Sequence, residues 1–187
     1  MSRALFLRHG ESAHNAHTGG EALAEDEGDR LTERGREQAR AATEALSEHG
    51  VSRLLSSPQR RAQETAAALE ATLGLAAETL PYTHELAAGE SFEELVARVR
   101  QLKQELERAE PNRRTLLVGH GIFTRFFLLD SVLGEAFEPS LAGRIWQLGS
   151  HNCGLSTFAR GEYRDPSRAL VPGWVCLSWM ERPWDRP

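Results

Sequence analysis

Apolar residues recur three or four positions apart in two stretches of the chain, which is the spacing of a single buried helical face. The first stripe lies in residues 59–73 and is closed by Gly74, a common residue just after a helix. The second follows Ser91 and Glu94, which are spaced as a capping box, and it continues to Leu106. Both stretches are therefore predicted to be amphipathic helices.

Short apolar runs alternate with these helices along the chain. Residues 3–7 and 51–56 have β-like composition, and the uninterrupted apolar run at residues 115–118 suits a central strand covered on both faces. Two further helices are predicted, at residues 33–49 between a Thr32 cap and Gly50, and at residues 122–133. This βα alternation is typical of a mostly parallel sheet with helices on both faces.

The C-terminal part of the chain has a period of two instead. Its alternate positions are Leu155, Thr157 and Ala159, followed by Trp174, Cys176, Ser178 and Met180. This pattern predicts an antiparallel pair of strands at the edge of the sheet. The predicted fold class is therefore α/β, a three-layer, doubly wound and mostly parallel sheet with an antiparallel edge. We expect a single domain over residues 1–187, with residues 182–187 as a C-terminal tail.

Composition narrows the functional classes. The 187 residues include 22 Lys plus Arg and 27 Asp plus Glu, a net charge of −5, so a basic surface that wraps nucleic acid is not expected. The two cysteines, Cys153 and Cys176, are too few for a disulfide framework and are interpreted as reduced thiols. The longest apolar run, at residues 122–133, is too short to cross a bilayer, and the N-terminus has no signal-peptide core. A cytoplasmic protein without a membrane or nucleic-acid partner is expected.

Basic side chains follow three of the predicted strands directly. Arg8 and His9 follow the first strand, Arg60 and Arg61 follow the second, and His120 follows the third. The carboxyl ends of parallel strands share one edge of a sheet, and ligands bind beyond that edge. These side chains are therefore expected to converge on one pocket.

Arginines and histidines in one pocket suit phosphoryl transfer. Guanidinium groups bind phosphate oxygens bidentately, and a neutral imidazole nitrogen can attack phosphorus when it is held in line. Charge neutralisation by arginine would replace the metal ion that kinases use. The leaving alcohol also needs a proton, and the loop between Pro81 and Ser91 offers two carboxyl groups for this, Glu85 and Glu90.

The motifs around these residues resemble those of the histidine phosphatase superfamily, also called the phosphoglycerate mutase-like family. Its signature is present at residues 8–12 as Arg-His-Gly-Glu-Ser, followed by Asn15. Further motifs follow in the family's order: Leu31-Thr32-Glu33-Arg34-Gly35, Ser56-Ser57-Pro58-Gln59-Arg60-Arg61, Glu85-Leu86 with Gly89, Leu117-Val118-Gly119-His120-Gly121, and Asn152-Cys153-Gly154. On these motifs the chain is identified as a member of that family, and its short length favours the phosphatase branch.

The resemblance implies a catalytic role for five residues. His9 is expected to be the phosphorylated nucleophile. Arg8, Arg61 and His120 are expected to hold the phosphoryl group, and Glu85 is expected to be the proton donor. The implied reaction is hydrolysis of a small phosphate monoester through phosphohistidine, with neither a metal ion nor another cofactor.

The resemblance also implies which residues contact the substrate. Asn15 is expected to assist phosphate binding, and Ser12 and Gly121 belong to the same matched motifs and are expected to line the site. In this register Arg61, rather than Arg60, is the phosphate-binding arginine.

Other functions stay open at this point. A phosphoglycerate mutase shares the motifs but is generally longer, and a non-catalytic phosphate-binding module would have the same fold. His9, His14 and His17 would be the candidates for a metal site, which the adjacent charge of Arg8 disfavours. An acidic stretch at residues 21–30 is interpreted as a solvated loop; near the pocket mouth it would disfavour strongly anionic substrates.

Overall fold

The computed structural model describes residues 1–19, 23–164, 167–182 and 184, and a six-stranded sheet forms its centre. The strands are β1 (Arg3–Arg8), β2 (Arg53–Ser56), β3 (Ala77–Thr79), β4 (Arg114–Gly119), β5 (Leu155–Arg164) and β6 (Leu170–Glu181). They lie in the order β3-β2-β4-β1-β5-β6, with parallel pairing from β3 to β1 and antiparallel pairing of β5 with both β1 and β6. The predicted α/β class, mostly parallel with an antiparallel edge, is confirmed.

Helices cover both faces of this sheet. They are α1 (Ala13–Ala16), α2 (Glu25–Gly28), α3 (Glu33–Leu46), α4 (Arg60–Leu73), α5 (Phe92–Arg108) and α6 (Gly121–Leu133). Short 3-10 turns lie at Ser47–His49, Pro81–Thr83, Gly134–Ala136 and Pro139–Gln147. Helices α3 and α4 pack on the face that includes Leu5 and Leu116, whereas α5 and α6 pack on the face that includes Phe6 and Leu117. Neighbouring residues of β1 and β4 therefore enter opposite cores, which explains the uninterrupted apolar runs at residues 4–7 and 116–118.

Local sequence signals set the ends of the long helices. Thr32 caps α3 by accepting a hydrogen bond from a backbone amide of the first turn, and Ser91 and Glu94 form the expected capping box on α5. Gly74 follows α4 with a φ of 65°, a left-handed conformation that glycine adopts without strain. Helix α3 ends at Leu46, three residues before the predicted end, and the chain continues as a 3-10 turn.

Two segments differ from the prediction. Strand β3 was not predicted, because three residues at the edge of a sheet are too few to form a recognisable alternation. The acidic stretch at residues 21–30 is predicted to be a solvated loop, and its acidic residues 25–27 are indeed exposed, but they lie in the short helix α2, where Gly28 is buried. Acidic side chains in the first turn of α2 are favourable at a helix N-terminus, so their charge does not exclude a helix. Residues 20–22 of this stretch lie outside the described residues.

The predicted C-terminal tail is described only in part. Trp184 is partly buried against the core that α3 and α4 cover, while residues 183 and 185–187 lie outside the described residues. Within the described ranges, no helix combines the length and the apolar character that crossing a membrane requires.

Candidate active site

The loop after β1 is held against the start of α3 by two glycines. A Cβ atom on Gly10 would overlap the carbonyl group of Gly35, and a Cβ atom on Gly35 would overlap the backbone of Glu11. The amide of Glu11 also donates a hydrogen bond of 2.8 Å to the side chain of Gln38. The close approach requires glycine at both positions, and it fixes the loop that carries His9.

His9 is the first residue beyond β1 and is only 3% exposed. Its Nδ1 lies 2.7 Å from the carbonyl oxygen of Gly10, which assigns the ring proton to Nδ1 because a carbonyl only accepts. The lone pair on Nε2 accepts a hydrogen bond of 3.1 Å from Nε of Arg61. Burial, and then the charges of Arg61 and Arg8, lower the pKa of His9 well below its ordinary value. His9 is therefore a neutral imidazole whose unprotonated nitrogen faces Arg61.

His120 is fully buried and lies directly before α6. Its Nε2 is 2.7 Å from Oγ of Ser57, and its Nδ1 is 3.3 Å from Nη2 of Arg61. The ring centroids of His9 and His120 are 5.3 Å apart. Burial is the largest cause that lowers the pKa of His120 well below its ordinary value, and neighbouring positive charge adds to it. Because both histidines are neutral, the positive charge at this edge of the sheet belongs to arginines.

Arg61 lies in the first turn of α4, and each of its three side-chain nitrogens is engaged. Nε and Nη2 face His9 and His120, and Nη1 forms an ion pair with Asp29, which follows α2. Arg60 is half exposed and forms an ion pair one turn along the same helix. Of the two adjacent arginines, Arg61 is the one that contacts the histidines.

Arg8, the last residue of β1, has a buried side-chain donor without a partner in the part of the chain that the structure describes. Its Nη1 donates to the carbonyl oxygen of Ser150 at 2.7 Å, whereas its Nε is buried and has no partner among the described residues. Burial lowers the pKa of Arg8, but a guanidinium group stays protonated at any working pH. A buried donor without a partner costs about 1–3 kcal/mol, so an oxygen atom of a ligand bound there would remove this cost.

The four side chains Arg8, His9, Arg61 and His120 are called the strand-end cluster below. Parallel pairing of β4 with both β1 and β2 brings three strand ends side by side. At or soon after the end of each of these strands, the chain carries one part of the strand-end cluster. The structure thus brings together side chains that are more than 100 residues apart in the sequence.

Glu85 reaches the same region from a segment outside the sheet. Its amide donates to Oε1 of Gln59 at 2.9 Å, which ties the segment to the residue before α4. Its carboxyl group lies at the start of α6: Oε2 accepts from the Ile122 amide at 3.1 Å, and Oε1 accepts from the amides of Phe123 at 3.2 Å and Leu86 at 3.1 Å. The backbone amides at the N-terminus of α6 therefore hold this carboxyl group.

The other carboxyl group that the sequence left open, Glu90, is bound elsewhere. Nε and Nη2 of Arg98 donate to its two oxygens at 2.7 and 2.8 Å. Burial raises the pKa of Glu90, but the hydrogen bonds from Arg98 and from a backbone amide outweigh burial and leave the pKa below its usual range. Glu90 is therefore ionised at neutral pH and has no proton to donate.

Ser12 and Asn15 shape the loop that follows His9. Ser12 is buried, and the two residues form a capping box on α1. Nδ2 of Asn152 donates to the carbonyl oxygen of His9 at 3.1 Å and to Oδ1 of Asn15 at 3.0 Å. These hydrogen bonds connect the loop after β1 to the chain that enters β5.

A cavity of about 490 Å³ opens at these residues. Its lining includes Arg8, His9, Ser12, Asn15, Arg61 and Glu85 from the predicted site. Glu25 and Asp29, from the acidic stretch, line it as well. His120 and Gly121 are both buried and do not line the cavity. His120 contacts Arg61, which does line it.

Several residues of the site have no predicted role. Ser57, Gln59 and Asn152 belong to matched motifs, so their position in those motifs was a usable signal, but their contacts depend on the fold. The only sequence signal at Asp29 is its position in an acidic run, and nothing in the sequence connects it with Arg61.

A metal ion would need several ligands in one place. In the part of the chain that the structure describes, no three or more His, Cys, Asp or Glu side chains are grouped so that they could hold one.

The chain matches one known protein family over most of its length. A family model described as the histidine phosphatase superfamily (branch 1) matches residues 4–89 and 78–167, which is most of the chain. The chain therefore belongs to the histidine phosphatase superfamily. A comparison with curated proteins finds no match.

Solved structures have the same fold. A mycobacterial glucosyl-3-phosphoglycerate phosphatase with VO3 is similar with a TM-score of 0.70 and 22% identity, over 95% of this chain and 98% of that one. A phosphoserine phosphatase from Entamoeba histolytica, in complex with phosphoserine, is similar with a TM-score of 0.75 and 18% identity over 100% of both chains. A second structure of phosphoserine phosphatase from that organism, with 3-phosphoglyceric acid, has a TM-score of 0.71 and 18% identity, over 98% of this chain and 99% of that one.

Proposed function

We propose that this protein is a phosphomonoesterase that hydrolyses a small phosphate monoester through a phosphohistidine intermediate. One observation carries the proposal: Nδ1 of His9 is fixed on the Gly10 carbonyl, so that the unprotonated Nε2 faces Arg61 at the cavity. A neutral, oriented imidazole beside a permanent cation is what nucleophilic attack on a phosphoryl group requires. Membership of the superfamily and the phosphatase names of the solved relatives support it.

Phosphate binding and activation of His9 are coupled in this proposal. Nε of Arg61 donates to Nε2 of His9, so the nucleophilic lone pair takes part in this hydrogen bond. A phosphoryl oxygen that accepts the hydrogen bonds of Arg61, and that of the unpaired Nε of Arg8, frees this lone pair. Because two guanidinium groups neutralise the phosphoryl charge, we propose that the reaction needs no metal ion.

In the first step, the Nε2 lone pair of His9 attacks phosphorus. A P–N bond forms, and the bond between phosphorus and the ester oxygen breaks. The ester oxygen takes the proton of the Glu85 carboxyl group, so the alcohol leaves as a neutral molecule. Glu85 is then a carboxylate and His9 carries the phosphoryl group.

In the second step, water attacks phosphorus and gives one proton to Glu85. The P–N bond breaks, its electron pair returns to Nε2 of His9, and inorganic phosphate leaves. We propose that Oε2 of Glu85 carries the proton. Oε1 accepts two backbone hydrogen bonds, whereas Oε2 accepts one and has a lone pair left for the proton.

The test is hydrolysis of para-nitrophenyl phosphate by the wild type and two histidine variants. His9→Ala is expected to lower kcat by about 10⁴-fold or more, because it removes the attacking atom. The matched control is His17→Ala, an exposed histidine outside the cavity lining, which is expected to keep wild-type kcat.

Two further measurements address the intermediate and the metal. Acid-labile phosphate attached to the protein after rapid mixing is expected for the wild type and not for His9→Ala. A chelator is expected to leave turnover unchanged. Full turnover by His9→Ala would contradict the proposed nucleophile, and loss of activity with chelator would contradict metal independence.

A further inference from the structure

The segment that carries Glu85 has little regular structure of its own. It consists of residues 81–91, between β3 and α5, and is called the acid-bearing segment below; only Pro81–Thr83 forms a 3-10 turn. A carboxyl group that transfers a proton must be held to a fraction of an ångström, and irregular backbone does not do this alone. Some other group therefore holds the segment.

Arg98, in the second turn of α5, contacts the acid-bearing segment on both sides of Glu85. Its Nη1 donates to the carbonyl oxygens of Tyr82 at 2.8 Å and His84 at 2.9 Å, before Glu85. Its Nε and Nη2 donate to both carboxylate oxygens of Glu90, after Glu85. One guanidinium group thus makes four hydrogen bonds to a segment of nine residues, from 82 to 90.

The burial and geometry of the Arg98–Glu90 ion pair restrict the motion of both side chains. The two side chains are 13% and 10% exposed, and the bidentate geometry fixes the planes of both groups. Oε2 of Glu90 also accepts the amide of Ala87 at 3.0 Å, which closes the backbone turn between Glu85 and Glu90. The pair therefore holds this turn of the segment in one geometry.

Arg98 also contacts the other element that holds Glu85. Its guanidinium carbon lies 5.6 Å from the ring centroid of Phe123, within cation–π range. The amide of Phe123 donates to Oε1 of Glu85. Arg98 therefore joins the backbone that carries Glu85 to the helix start that receives its carboxyl group, although Arg98 itself does not line the cavity.

We propose that Arg98 is a positioning residue for proton transfer by Glu85: it sets where the carboxyl group stands relative to the leaving oxygen. The inference rests on the proposed function, in which Glu85 protonates that oxygen. Arg98 has no role in binding the phosphoryl group, because it contacts no member of the strand-end cluster.

The proposal predicts a dependence on the leaving group. Para-nitrophenolate is a weak base and leaves with little need of a proton, whereas the alkoxide from benzyl phosphate is a strong base and needs one. The two esters are similar in size, so differences in binding are small. The ratio kcat/KM is the appropriate quantity, since it reports the steps up to the first cleavage and excludes the later hydrolysis of phosphohistidine.

The experiment compares Arg98→Ala with Arg100→Ala on both esters. Arg98→Ala is expected to lower kcat/KM for benzyl phosphate about 100-fold, and for para-nitrophenyl phosphate less than about threefold. Arg100→Ala, on the same helix but paired with Asp130, is expected to change neither. Arg98→Lys keeps the cation without the fork and is expected to fall between wild type and Arg98→Ala, with the same preference for the aryl ester.

A double variant separates positioning from general damage to the fold. In a Glu85→Gln background the carboxylic acid is already absent, so Arg98→Ala is expected to lower kcat/KM for benzyl phosphate less than about threefold further. Thermal melting of each variant checks folding, and if Arg98→Ala does not fold, Arg98→Lys takes its place throughout.

The possible outcomes are distinct. Equal losses on both esters, or an undiminished loss in the Glu85→Gln background, would overturn the role of Arg98 and leave the proposed function standing. If wild type hydrolyses neither ester, the proposed function fails, and this inference fails with it.

Discussion

The strand-end cluster and the acid-bearing segment meet at one cavity but are held in different ways. Arg8, His9 and His120 lie at the ends of hydrogen-bonded strands, and Arg61 lies in the first turn of a helix. Glu85 stands on irregular backbone and depends on side chains such as Gln59 and Arg98. The sheet fixes the groups that are proposed to bind and attack phosphorus, whereas the proposed proton donor relies on a few polar contacts. The two parts should therefore respond differently to substitution.

The largest effect is expected in the strand-end cluster. Arg61→Gln removes the cation that contacts both histidines, and it should lower kcat/KM about 10³-fold. The loss should be the same for benzyl and para-nitrophenyl phosphate, because charge on the phosphoryl group is common to both reactions. Steady-state kinetics with both esters measures it.

Arg60→Gln is the matched control for Arg61→Gln. Arg60 is adjacent in sequence but is half exposed and paired along α4, so kcat/KM should stay within about twofold of wild type. A larger loss in Arg60→Gln than in Arg61→Gln would reverse the assignment of the phosphate-binding arginine.

A smaller and more selective effect is expected from Glu85. Glu85→Gln cannot donate a proton, so kcat/KM for benzyl phosphate should fall about 10²-fold, with little change for para-nitrophenyl phosphate. Glu93→Gln, an exposed glutamate in the first turn of α5, is the control and should change neither value. Equal losses on both esters in Glu85→Gln would remove the distinction between the two parts of the site.

The buried histidines of the strand-end cluster predict how stability depends on pH. The folded state lowers the pKa of His9 and His120, so below pH about 6.5 the unfolded chain binds protons that the folded protein does not. Stability should fall as pH decreases below that value, by at most about 1.4 kcal/mol per pH unit for each histidine. Denaturant unfolding between pH 7.5 and 5 measures the slope.

His9→Gln should reduce this slope, because one of the two groups no longer titrates. His17→Gln removes an exposed histidine and should leave the slope as in wild type. A wild-type free energy of unfolding that does not change over this pH range would contradict the lowered pKa values.

The smallest effect is expected from the acidic wall of the cavity. Glu25 lines the cavity and its charge opposes a second phosphate, so Glu25→Gln should lower KM for a sugar bisphosphate about two- to fivefold, and less at high salt. Glu27→Gln changes the same residue type on the same helix but outside the lining, and should have a smaller effect. No difference between the two variants would mean that the acidic stretch does not select against polyanions.

Sequence patterns are sufficient to predict the strand-end cluster, because its geometry follows from the topology of the sheet. Once alternating strands and helices indicate a parallel sheet, residues such as His9 and His120 must share one edge. The contacts of Arg98 and Asp29 could not be predicted, because they depend on how irregular segments lie against helices far away in the sequence. For the same reason the sequence left Glu85 and Glu90 as alternatives, and the ion pair of Glu90 with Arg98 distinguishes them.

The contact between Gly10 and Gly35 has a consequence for how this protein tolerates change. No residue of α3 lines the cavity, yet the start of that helix contacts the loop that orients His9, the proposed nucleophile. Gly35 has no side chain, and even a methyl group there would overlap the loop and displace His9 from its carbonyl partner. Sensitivity to mutation therefore will not decline steadily with distance from the substrate, and transplanting the reactive side chains onto another scaffold without this helix would lose their alignment.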